Sequence, residues 1–137
     1  MQNYIGIKSI KAREMNRLDY NTYRGWQLPD DEDGSDEGFL VEYVDSGKSN
    51  HPDHEGYISW SPKDVFERLY HITCDAYNND IMKYFEYSQL PEKLQRISKP
   101  ICDIAKIYDG KYSNSQEKSA GLRKLLEAKD CFVRAAL

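Results

Sequence analysis

The stretch LRKLLEAKDCFVRAAL, Leu122 to Leu137, sets the architecture of the C-terminal half. Stepping about 100° per residue, it places Leu122, Leu125, Leu126, Phe132, Val133 and Ala136 on one broad, bulky face. A second face carries the small residues Gly121, Ala128, Cys131 and Ala135. The strip left for water holds Arg123, Glu127, Asp130 and Arg134, spaced as a charge ladder over neighbouring turns. A single partner helix covers one apolar face, so two such faces require two partners.

One partner lies just upstream. Pro91 opens a pattern in which Leu94, Ile97, Ile101, Ile104 and Tyr108 recur at three- and four-residue spacing. Pro100 falls inside it, forfeits one backbone hydrogen bond, and bends the helix unless it marks the true start. The loop DGKYSNS follows, and Asn114 with Glu117 or Ser113 with Gln116 would cap the last helix. The pair reads as a helical hairpin.

The first half reads differently. YIGIKSIKA, Tyr4 to Ala12, alternates as a short strand. Asn16 and Asp19, with Met15 and Tyr20 as a hydrophobic staple, start a helix that Gly25 closes. After the acidic QLPDDEDGSDEG loop come a strand in GFLVEYV, a turn at DSGK and a strand in GYISW. Ser61 as N-cap, Pro62 at the first helical position and Asp64 at the third then open a helix whose apolar face is Val65, Phe66, Leu69 and Tyr70. Residues 75–88 form a connector with a short extended piece at MKYFEY. The expected class is α+β: a small antiparallel β-rich N-terminal half with short helices (1–76), a connector (77–89) and a C-terminal antiparallel helical hairpin (90–137).

Composition narrows the function. With 137 residues, 39% hydrophobic and 31% charged, the chain has room for one domain or two small substructures. No stretch approaches a membrane span and MQNYIGIKSIK lacks the apolar core of a signal peptide, so a cytoplasmic protein is expected. Cys74, Cys102 and Cys131 are an odd, widely spaced set that reads as reduced packing residues. The net charge of −4 argues against long nucleic acid. Eight acids and no Lys or Arg lie between Leu28 and Asp45, however, so the rest of the chain is net positive and suits a small anion.

Among possible sites, HPDH (51–54) has two imidazoles beside acids but no further Cys or His nearby, too few ligands for a stable metal centre. DDEDGSDEG lacks the spacing of a calcium loop and reads as a solvated negative loop. No nucleophile–base motif or phosphate loop is present, and neither an enzyme nor a cofactor is expected. The last helix holds five cations (Lys118, Arg123, Lys124, Lys129, Arg134) against three acids. These either form intrahelical pairs or clamp a phosphate while tyrosine rings stack on a base.

LPEKLQRISKPICDIA followed by EKSAGLRKLLEAKDCFVRAAL resembles the helical hairpin of phage anti-defence sponges, the first Thoeris anti-defence family and the related anti-CBASS family. The likeness lies in LP..LQ..SKP paired with LRKLLEAKD..VRA and covers about the last third of the chain; YIGIKSIKA, YRGW and GYISWSPKDVFE are similar to the β-rich part of Thoeris anti-defence and other small phage proteins. The resemblance implies a non-enzymatic sponge in the infected bacterial host. It would sequester cyclic nucleotide immune signals, namely cyclic ADP-ribose isomers from TIR enzymes and in some members cyclic di- or trinucleotides. It also implies a homo-oligomer, a dimer or a hexamer built from dimers, with sites between protomers and the small-residue face of the last helix against a neighbour. Arg123 and Arg134 would contact phosphates, Lys124 would add charge, and Arg24 of YRGW would contribute from the other half. Ile101 stands where relatives often carry Phe, so base stacking would pass to Tyr108 or Tyr84. The rival expectation is a phage interaction protein whose hairpin docks a host or virion protein.

Overall fold

The computed structural model describes residues 1–72 and 79–137; Cys74 and the junction between 76 and 77 lie outside the described residues. The chain forms two compact units, one of Lys8–Tyr70 and one of His71–Leu137 together with Met1–Ile7.

The first unit is a three-stranded antiparallel sheet in the order β1 (Lys11–Glu14), β2 (Gly38–Tyr43), β3 (Tyr57–Pro62). The first strand was expected over Tyr4–Ala12, but it begins at Lys11. Its partner β2 ends at Tyr43, with Lys11 opposite Glu42, so the β1–β2 ladder does not extend back over residues 4–9. Tyr4 and Ile5 are fully exposed instead.

Helix α1 (Arg17–Arg24) covers one face of the sheet, burying Tyr20 against Leu40 and Ile58, with Met15, Tyr23 and Trp60 around them. Its start follows the expected cap: Asn16 Oδ1 accepts from the Asp19 N–H at 2.7 Å. Its end is Gly25 at φ 70°, where the Trp26 N–H reaches back to the Asn21 carbonyl, a Schellman closure. The acidic loop is more than a solvated run. Carbonyls of Gly34 and Asp36 accept from the Leu18 and Arg17 N–H groups, and Glu32 holds the Arg17 guanidinium, so the loop folds over the positive end of α1.

Helix α2 (Lys63–Leu69) packs on the opposite face, its Phe66 ring stacked on Phe39 at 4.0 Å. Ser61 does not cap it. Ser61 is held in the ladder opposite Phe39, Pro62 becomes the cap residue, and the Lys63 N–H donates to the Glu37 carbonyl. Leu69, expected on the apolar face, is 62% exposed.

In the second unit, MKYFEY is not extended. Asp80–Phe85 winds as a 3-10 helix capped by Asn79, and it buries Met82 and Phe85 completely. An extended piece does not suit a segment whose residues Met82 and Phe85, three apart, are buried together. Helix α3 (Glu92–Lys111) runs continuously through Pro100, and α4 (Gln116–Ala135) returns beside it. The helix cap is Ser115, which accepts from the Lys118 N–H at 3.1 Å, rather than Ser113 or Asn114. The connecting loop is thereby shortened to 112–115.

The face that α3 buries also differs from the one its spacing suggests. Ser98, Cys102, Ala105 and Asp109 are its buried residues, while Leu94, Ile97, Ile101 and Ile104 are half-covered and Tyr108 is exposed. Small side chains let α3 approach Phe85, Met82 and Leu122 closely, which large aliphatic residues on that face would prevent. Burial pushes the Cys102 thiol above its ordinary range and leaves it an inert packing group. On α4 the bulky face turns inward at Leu122, Leu125 and Leu126, whereas Phe132 is 59% exposed.

Candidate functional site

Five cations lie on α4, and the structure divides them. Lys118 is buried: its Nζ sits 2.8 Å from Asp109 Oδ1, 2.7 Å from the Asp109 carbonyl, 2.9 Å from the Tyr112 carbonyl and 3.0 Å from Asn114 Oδ1. It satisfies the carbonyl end of α3, a task otherwise left to solvent. Lys129 is buried too, donating to the Tyr84 carbonyl at 2.7 Å. The remaining three, Arg123, Lys124 and Arg134, are exposed.

Those three have no carboxylate within ion-pair distance among the described residues. The expected ladder of intrahelical pairs is not formed: Arg134 donates to Cys131 Sγ at 3.2 Å and Asp130 pairs with Lys129 at 3.2 Å. Arg123 lines a concavity of about 500 Å³ with Asn114, Ser115, Gln116, Ser119 and Ala120 at the start of α4. That volume falls in the range of small-molecule sites. Tyr108 is 47% exposed and its ring lies parallel to Tyr112 at 6.1 Å, leaving aromatic surface open. Tyr84 is 59% exposed. Along α4, Gly121, Cys131 and Ala135 are exposed as well, and a Cβ added at Gly121 would meet nothing.

Arg24 belongs to the other unit, where its guanidinium lies 4.2 Å from the centre of the Trp26 ring. The same guanidinium acts on Tyr20, whose hydroxyl is raised by burial with Arg24 opposing the rise. Arg24 thus has a packing role in its own unit.

Sequence reasoning missed a second cluster, built on HPDH. Glu42 on β2 faces the α1 side of the sheet, and Asn50 clips the returning loop to β3 by exchanging two hydrogen bonds with the Ile58 backbone. The loop places His54 Nδ1 3.1 Å from Glu42 Oε2 and His54 Nε2 3.0 Å from the Tyr23 hydroxyl. Glu42 Oε1 accepts from the Glu55 and Gly56 N–H groups, both at 3.0 Å. The Gly56 amide, then His54, holds the Glu42 carboxyl below its usual range. An ionised carboxylate only accepts, so Nδ1 of His54 carries a proton, and in the neutral ring Nε2 accepts from Tyr23. His51 stacks on the Tyr23 ring at 4.5 Å and its Nδ1 accepts from the Asp53 N–H. No group of three His, Cys, Asp or Glu side chains converges as a metal site among the described residues. The signal available in sequence was Glu42 in phase with Leu40 on an otherwise apolar strand.

No helix is long and apolar enough to cross a membrane among the described residues. Comparison with protein-family models, curated proteins and solved structures yields no match.

Proposed function

We propose that the chain is a phage anti-defence sponge, which sequesters cyclic nucleotide immune signals without cleaving them, in the cytoplasm of the infected host. The ligands are cyclic ADP-ribose isomers and related cyclic di- or trinucleotides, and the capturing element is the hairpin. The observation that carries this reading is the sorting of the α4 cations. Lys118 and Lys129 serve the fold, while Arg123, Lys124 and Arg134 stand exposed without acid partners among the described residues, Arg123 beside a ligand-sized concavity. Unpaired guanidiniums suit bidentate phosphate contacts, and the open Tyr108 ring suits a base. The half-covered aliphatic stripe of α3 and the open small-residue face of α4 support a homo-oligomer, a dimer or a hexamer built from dimers, with sites completed between protomers.

The test is capture and release. Protein is incubated with candidate signals, freed of unbound ligand and denatured, and the released nucleotide is identified. Intact nucleotide is the expected result, and Arg123→Ala should lower capture about tenfold or more. Altered nucleotide would make the protein an enzyme. No nucleotide at all would favour the second reading, for which the same α3 stripe speaks: docking of the hairpin on a host or virion protein.

A further inference from the structure

We propose that the concavity beside Tyr23, His54 and β1 is a second ligand site, separate from the hairpin, that takes a hydroxyl-bearing phosphate of sugar-phosphate type. It has a volume of about 310 Å³, with Lys11, Arg13, Tyr23, Leu40, Glu42, Asp53 and His54 among its walls. What a ligand meets there depends on which groups the fold has already consumed. Glu42 is the cross-strand neighbour of Lys11, yet both its oxygens are committed, one to His54 and the other to two backbone amides. Lys11 and Arg13, two residues apart on β1 and so on one face, have no carboxylate within ion-pair distance among the described residues. Arg13 instead lies over the Tyr23 ring at 5.2 Å.

Tyr23 and Asp53 add the opposite character. With the His54 ring neutral, the Tyr23 hydroxyl donates its hydrogen bond to Nε2, and its oxygen offers lone pairs to a ligand. Asp53 has a side chain 74% exposed, and its nearest cationic candidate, His51 Nδ1, already accepts from the Asp53 backbone N–H. The site therefore presents two cations from β1, the Tyr23 oxygen and the Asp53 carboxylate as hydrogen-bond acceptors, and the apolar Leu40. An oxyanion at Lys11 and Arg13 with hydroxyls toward Tyr23 and Asp53 satisfies every one of these groups, and the volume, at the small end of ligand pockets, fits a monosaccharide phosphate. With His54 neutral, the relay from Glu42 fixes the direction of the Tyr23 hydroxyl, and with it the preference for a ligand donor.

Calorimetry on the full chain with ribose 5-phosphate, ribose and inorganic phosphate tests this. Ribose 5-phosphate should bind about tenfold or more tighter than either fragment, because each fragment engages one set of these groups. Lys11→Gln with Arg13→Gln, both at exposed positions, should abolish binding without changing the unfolding temperature. Tyr23→Phe keeps the ring over which Arg13 and His51 lie; it should weaken ribose 5-phosphate about threefold to tenfold and leave inorganic phosphate unchanged. Absence of saturable ribose 5-phosphate binding would overturn the site. So would binding that survives the double substitution, or binding that is lost with Arg123→Ala, which would place the ligand on the hairpin.

Discussion

Lys118 gives its three N–H donors to groups that the end of α3 and the following loop would otherwise leave bare. Lys118→Met strands a buried Asp109 charge and two carbonyls, and should cost about 3–5 kcal/mol in urea unfolding. Lys124→Met, at an exposed position on the same helix, should change stability by no more than about 0.5 kcal/mol. Glu42 makes a pH prediction. Its folded-state pKa lies below the unfolded value, so its contribution is complete above about pH 4.3 and drains away as pH falls through the folded value. Glu32, Asp33 and Glu37 are lowered likewise, by Arg17, Ser35 and Lys63, so the acid limb has several contributors. Glu42→Gln should remove one share: its unfolding temperature should fall less steeply between pH 5 and pH 3 than that of the parent. Equal slopes would count against the Glu42 assignment.

Among the elements, the loop from β2 to β3 depends on Gly56, where a Cβ would strike the Tyr43 carbonyl and displace the amide that Glu42 accepts. Gly56→Ala should therefore destabilise by about 1–3 kcal/mol in denaturant melts, whereas Asn16→Ala, which strips the α1 cap, should cost about 1 kcal/mol. The sequence was most legible where local chemistry dictates geometry. Asn16 and Gly25 bracket α1, strands fall in GFLVEYV and GYISW, and Pro91 opens α3, each from residues whose backbone or capping preference acts without tertiary help. It was least legible where distant partners decide. β1 starts where β2 supplies a neighbour, the 3-10 helix forms because α3 and α4 cover Met82 and Phe85, and α3 turns inward the small face that allows close approach. The candidate sites follow the same rule. Arg123, Arg134 and Lys124 were readable as an exposed helical set, but the Glu42–His54–Tyr23 chain joins three segments that no local pattern connects.

For the whole molecule, the proposed oligomer is the property most open to a direct check. Ile104 lies in the half-covered stripe of α3, so Ile104→Glu should shift the sedimenting species to a smaller mass and reduce nucleotide capture with it. An unchanged mass would separate that stripe from assembly. Another consequence is optical. The chain has two tryptophans, Trp26 and Trp60, and both belong to the Lys8–Tyr70 unit. Light emitted on excitation at the red edge of the protein band therefore reports the melting of the sheet and its two short helices, while far-ultraviolet ellipticity is weighted toward the two twenty-residue helices of the hairpin. Each half of the polypeptide thus carries its own native spectroscopic signature, and a destabilising change can be assigned to one of them without any added label.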